Sequence, residues 1–180
     1  MGYLSRGRLD SAPSSGVRLI QLRDLSRDGI LDLASAQQVE LDARALGRFA
    51  AIDGDVLLSN RGEPLRAVAL ASPPVGALVS SHFFVLRPTQ PRLRADYLAW
   101  FLNQQAAQTF FHRNMVGTSL KMLNKQALEL LPVEVPSAEI QIKLAKLAEL
   151  NLRHKKLNQL LQEKMDLLVS NISIHSERSP

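Results

Sequence analysis

Covalent chemistry needs a nucleophile beside a base, a set of metal ligands or a phosphate cradle, and these 180 residues supply little of any. Cysteine is absent, which removes thiol nucleophiles, Cys-based zinc sites and disulfides together. None of the four histidines (His82, His112, His154, His175) stands at a metal-ligand spacing from another. Ser81 and His82 adjoin, without a third group to orient the imidazole. Asp53 and Asp55 flank Gly54 and imitate a carboxylate pair for a cation, yet Asp-Gly-Asp ahead of an apolar run reads first as a turn that launches a strand. Glycine-rich nucleotide loops, an H-E-x-x-H helix, an Asn-Pro-Pro-Tyr methyltransferase signature and a nuclease carboxylate–lysine cluster do not occur. The chain therefore reads as non-catalytic, with no cofactor or metal of its own.

The chemistry that remains is hydrogen-bond donation from loops. Groove readout of a duplex needs donors on accessible backbone: an Asn amide both gives and takes a hydrogen bond at adenine, and an Arg forks onto guanine or a phosphate. The candidate DNA contacts are Arg6 and Arg8 near the N-terminus, Asn60, Arg61 and Arg66 around the Gly62 turn, and Ser119 with Lys121 after Gly117. Charge points the same way. Lys and Arg total 22 against 17 acids, a balance of +5 that favours a polyanionic partner. Residues 1–136 hold 13 Arg and 2 Lys, residues 137–180 hold 2 Arg and 5 Lys, so the planar forks concentrate in the first part.

The elements that must position these donors fall into two regions. Val17–Leu22 alternates apolar and polar side chains, Val56–Leu58, Leu65–Ala71 and Ser80–Leu86 are further short strands, and Arg27–Gly29 and Asp53–Gly54 mark turns between them. From Ala95 to about Arg113 the apolar period becomes helical, and most of the aromatics lie between Phe83 and Phe111, so a helix packed on a sheet is the expected core. A polar loop follows at Asn114–Lys121, then a short helix capped by Asn124 and ended by Pro132, then an extended piece at Val133–Val135. The expected fold is α+β: a twisted, mostly antiparallel or mixed sheet with packed helices over residues 1–136, followed by a long coiled-coil-type helix.

That helix opens with Ser137 as N-cap and continues without Gly or Pro to about Ile172, leaving 173–180 as a tail. At the standard helical rise such a span is roughly 50 Å long. Leu147, Leu150, Leu157, Leu161 and Leu168 form an a/d stripe interrupted by Asn151, His154 and Asn158. Glu139, Glu149, Glu163 and Asp166 would repel phosphates, so protein is the expected partner, although Lys143, Lys146, Arg153, Lys155 and Lys156 leave a basic face. No apolar run approaches the length of a membrane span, which is about 20 residues. The start of the chain lacks the apolar core of a signal peptide, so a soluble, cytoplasmic protein without a membrane partner is expected.

Five stretches occur in a distinctive order: Val17–Leu25 (VRLIQLRDL), Gly54–Gly62 (GDVLLSNRG), Ala95–Asn103 (ADYLAWFLN), Gly117–Leu131 (GTSLKMLNKQALELL) and Pro132–Gln141 (PVEVPSAEIQ). In them the chain resembles the target-recognition half of a type I restriction–modification specificity subunit, over nearly its whole length. The resemblance implies a non-catalytic reader of double-stranded DNA. Its helices would hold modification subunits that methylate adenine with S-adenosylmethionine, and an ATP- and Mg-dependent restriction subunit would join them. Such subunits usually carry two recognition domains and two helical regions, whereas one of each is found here. A half-subunit is therefore expected, forming a C2 homodimer through its helix over an inverted-repeat target, with antiparallel pairing favoured by the resemblance. Two other readings stand beside it: a scaffold or interaction module whose helix is the active part, and the recognition portion of a single-chain restriction enzyme–methyltransferase.

Overall fold

The computed structural model describes residues 16–26, 29–39 and 49–176, with side chains to Ser170. Arg6, Arg8, the Arg27–Asp28 part of the first turn and residues 177–180 of the tail lie outside the described residues.

The architecture is α+β. Strand β3 (Val56–Ser59) is the centre of an antiparallel sheet, with β4 (Ala67–Ala69) on one side and β6 (Phe83–Leu86) on the other. Successive strand residues face opposite sides, and here both sides are covered. Val56 and Leu58 point into a core shared with Phe84, Leu98, Leu102, Phe111 and Leu123. Leu57 and Phe83 point the other way, into a second core with Ile20, Leu70 and Val79. This accounts for the continuous apolar run of β3, in which all four residues are buried.

A second small sheet pairs β1 (Val17–Ile20) with β2 (Gln38–Val39) antiparallel and with β5 (Leu78–Val79) parallel. The sheets are thus mixed, as expected, but the strands are shorter than the apolar runs suggest. Residues 80–82, expected at the start of a strand, form the turn between β5 and β6 instead.

The expected helix from Ala95 to Arg113 is two helices, α1 (Ala95–Leu102) and α2 (Gln105–Asn114). The break has a cause in the side chains. The Asn103 amide accepts from Ala67 N at 3.0 Å and donates to the Ala67 carbonyl at 2.8 Å, serving the outer edge of β4 as a neighbouring strand would. It also closes onto the Ala99 carbonyl at 2.9 Å, while Gln104 caps the Trp100 carbonyl at 2.8 Å with its own backbone turned to extended geometry. A hairpin of β7 (Met115–Val116) and β8 (Met122–Leu123) follows, then α3 (Lys125–Glu129), whose cap Asn124 accepts from Ala127 N at 2.7 Å.

The long helix α4 runs Ala138–Ser176 and so passes its expected end by one further turn. Its 39 residues span about 58 Å at the standard helical rise. No Gly or Pro stands before Pro180 to stop it sooner. Gln141 fastens its first turn to the domain. This side chain is fully buried; it accepts from Arg94 N at 3.0 Å and donates to the Arg92 and Pro136 carbonyls at 2.7 and 2.8 Å. Nearby, Tyr97 donates to the Glu134 carbonyl at 2.7 Å, and its burial pushes the phenol above its ordinary pKa, with the Glu134 charge adding to the effect. None of the described helices is long and apolar enough to cross a membrane.

Replacing Gln141 with Leu keeps the volume and strands one buried N–H and two carbonyls. It is expected to cost about 3 kcal/mol, since unpaired buried groups bear their full desolvation penalty. Urea unfolding should show the loss, and an unchanged midpoint would contradict this account of the junction.

Candidate nucleic-acid interface

Three chain segments meet at one end of the central sheet. The turn after β3 carries Asn60, Arg61 and Gly62, whose φ of +94° is a left-handed conformation suited to glycine. Asn60 N donates to the His82 carbonyl at 3.0 Å, which ties this turn to the β5–β6 turn. Leu123 N donates to the Asn60 carbonyl at 2.9 Å, and Arg61 forms an isolated antiparallel bridge with Met122, which ties in the β7–β8 hairpin. The hairpin turn needs Gly117: its φ is +118°, and a Cβ there would run into the Leu120 carbonyl.

The candidate residues separate on this frame. Asn60, Arg61, Ser119 and Lys121 belong to segments that are brought together, and Ser119 and Lys121 are exposed. Asn60 is not available to a base edge. It is 1% exposed, and its Nδ2 donates to the Ser81 carbonyl at 2.8 Å, so it acts as a bracket for the turn. The reading of Asn60 as an adenine contact is corrected accordingly. Two buried polar atoms bordering this turn, Asn60 Oδ1 and Ser80 Oγ, have no hydrogen-bond partner among the described residues.

Arg61 is half-buried and its charge reaches His82, with no carboxylate or carbonyl partner for its guanidinium among the described residues. Other arginines are already engaged. Arg18 donates to the Leu33 carbonyl, Arg23 to Gln37, Arg94 to Asp96, and Arg87 binds the fully buried Asp55 carboxylate through two bonds of 2.7 and 2.9 Å. Asp55 also accepts from Ile52 N, and Asp53 accepts from Ser72 N, so the Asp-Gly-Asp carboxylates are structural. The Asp55 bond holds the Arg87 guanidinium above its ordinary pKa.

Arg66 closes the turn that carries Arg61 and Gly62: its N–H donates to Ser59 Oγ at 2.9 Å and its carbonyl accepts from Ser59 N at 2.9 Å. It also lines a groove of about 600 Å³ between β4, α1 and the middle of α4, shared with Trp100, Gln108, Glu149, Asn151 and Lys155. His82, by contrast, is not a candidate from the sequence. Only its place opposite Asn60 across β3 and β6 reveals it, because a lone histidine carries no spacing signal.

The helix presents a second surface. Gln141, Leu144, Ala145, Ala148 and Leu152 turn toward the domain, packed against α1. At about 100° per residue, the stripe Leu147, Leu150, Leu157, Leu161 and Leu168 lies on the opposite side, and each of its leucines is about half exposed or more. Met165 extends the stripe, whereas the continuation of the domain-facing side is polar: Lys155, Gln159, Gln162, Asp166 and Ser170. His154 and Asn158, within the stripe, lie 3.3 Å apart. Pairs spaced three or four residues apart, Glu139–Lys143, Lys146–Glu149, Gln159–Glu163 and Gln162–Asp166, support the helix in solvent.

No protein-family model matches the chain, and no curated protein is similar to it in sequence.

Two substitutions separate the roles within the turn. Arg61→Ala should lower duplex affinity about tenfold and reduce the salt slope by about one, with the unfolding temperature unchanged. Asn60→Ala should instead lower stability by about 1–2 kcal/mol through loss of its bond to Ser81. Fluorescence anisotropy and thermal unfolding read both, and the opposite assignment of effects would reverse the roles given to these residues.

Proposed function

We propose that this chain is a sequence-specific DNA-recognition subunit of a type I restriction–modification complex, without catalysis of its own. Double-stranded DNA lies along the end of the domain that carries Arg61, Ser119 and Lys121. The leucine face of α4 pairs with the α4 of a second copy, and the assembled helices hold the modification subunits, with the restriction subunit joining them. S-adenosylmethionine, ATP and Mg belong to those partner subunits.

The observation that carries the reading is the two-sidedness of α4. One face docks on the domain and turns polar where the domain ends; the other carries the five stripe leucines, at 48–63% exposure, from the docked turns out into the projecting part. A large exposed apolar face on a soluble helix marks an interaction site. Burying a leucine there contributes roughly 1.5–3 kcal/mol, enough over several positions to hold a partner helix. The ordered motifs support the DNA half of the reading, as does Arg61, which has no carboxylate or carbonyl partner among the described residues. An isologous contact between two such faces doubles the recognition surface, which a split target requires.

The test is the double variant Leu150→Asp, Leu157→Asp in the full chain. By light scattering at micromolar concentration the parent should have twice the chain mass. The variant should have the single mass and an unchanged unfolding transition of the sheet domain. A parent that is strictly monomeric would overturn the homodimer. If no duplex binds the dimer even at low salt, where phosphate contacts are strongest, the DNA reading falls and a protein-interaction module remains.

A further inference from the structure

Arg61 and His82 come from different turns that Asn60 ties together, near enough for the Arg61 charge to act on the imidazole. Asn60 N is bonded to the His82 carbonyl at 3.0 Å and Asn60 Nδ2 to the Ser81 carbonyl at 2.8 Å, so the two turns cannot separate without breaking both bonds. Both side chains are half-buried. The juxtaposition is unusual, because one group is a permanent cation and the other becomes one as pH falls.

Burial lowers the His82 pKa, and the Arg61 charge lowers it further. The other charged groups at this end do not relieve the pair. Glu63 is engaged by His112 at 3.2 Å, and Lys121, next to the Met122 that bridges Arg61, adds positive charge. A structural turn gains nothing from a histidine placed against an arginine. An anion between them would reverse the disadvantage, pairing with both.

We propose that Arg61 and His82 form a phosphate-binding pair whose engagement takes up a proton at His82. The site deepens the DNA-recognition reading and rests on it for the source of the phosphate, which is the duplex backbone; the chemistry itself is that of any phosphate or phosphodiester. The sign follows from the charges. In the free protein His82 is held neutral to lower pH than an ordinary histidine. A bound phosphate favours the imidazolium, so binding consumes a proton and tightens as pH falls toward about 5.5. His82 thus adds a proton-linked contact that holds the phosphate beside Arg61.

The test compares two probes, inorganic pyrophosphate and a mixed-sequence duplex of about 30 base pairs, with the full chain at about pH 5.5 and about pH 8. Affinity should be about three- to tenfold higher at the lower pH, as expected for uptake of up to one proton. His82→Gln should flatten that dependence more than it changes affinity at the higher pH. In the free protein, Arg61→Ala should move the His82 ring titration, followed by NMR, to higher pH.

If pyrophosphate behaves this way and the duplex does not bind, the pair is a phosphate site for another source and the DNA reading fails. If the duplex binds with the same pH profile in the parent and in His82→Gln, the proton-linked pair is overturned and the DNA reading stands. Binding of neither probe overturns both. A His82 titration indifferent to Arg61→Ala overturns the pairing itself.

Discussion

A buried amide at the root of α4 governs what the rest of the molecule can do. Gln141 joins three backbone groups, Arg94 N and the Arg92 and Pro136 carbonyls, from the entry to α1 and the approach to α4. Its bonds replace those that the backbone would otherwise make to water, and its full burial means that no other orientation is equally satisfied. The rotation of α4 about its own axis is thereby set. Leu144, Ala145, Ala148 and Leu152 follow onto α1, and the leucine stripe follows onto the outer side. A rotation by half a turn would bury the stripe against the domain and expose the polar side instead.

The same logic runs through the sheet domain. Several polar residues in the ordered motifs serve the chain itself. Asp24 accepts from Gln21 N, Asp55 binds Arg87, Asn103 pairs with Ala67, and Asn124 caps α3. These groups hold short strands and breaks in place where apolar packing alone would not choose the register. Arg61, by contrast, is presented by this framework without a carboxylate or carbonyl partner among the described residues. A change at the surface of such a turn need not disturb the brackets beneath it.

Periodicity and punctuation make the architecture legible in the sequence. Alternation marks β1, the apolar run marks β3, Asn124 and Ser137 mark helix starts, and a long run without Gly or Pro marks α4. Contacts between distant positions stay concealed. Asn103 continues a helical pattern until its amide meets Ala67 on a strand far earlier in the chain, so the break in the helix has no local signal. Asn60 reads as a donor on an open turn because its burial depends on Ser81, a residue of another turn. His82 escapes notice for the same reason: its partner Arg61 belongs to another turn. The stripe on α4 is legible as apolar; that it faces away from the domain emerges only from the structure.

The most direct measurement of the DNA-recognition reading is a genome-wide map of methylated adenines in host cells with and without this chain. The account predicts that one split, inverted-repeat motif with a fixed spacer is methylated when the chain is present and unmethylated when it is deleted. An adenine methylation pattern that is identical in the two cells would contradict it.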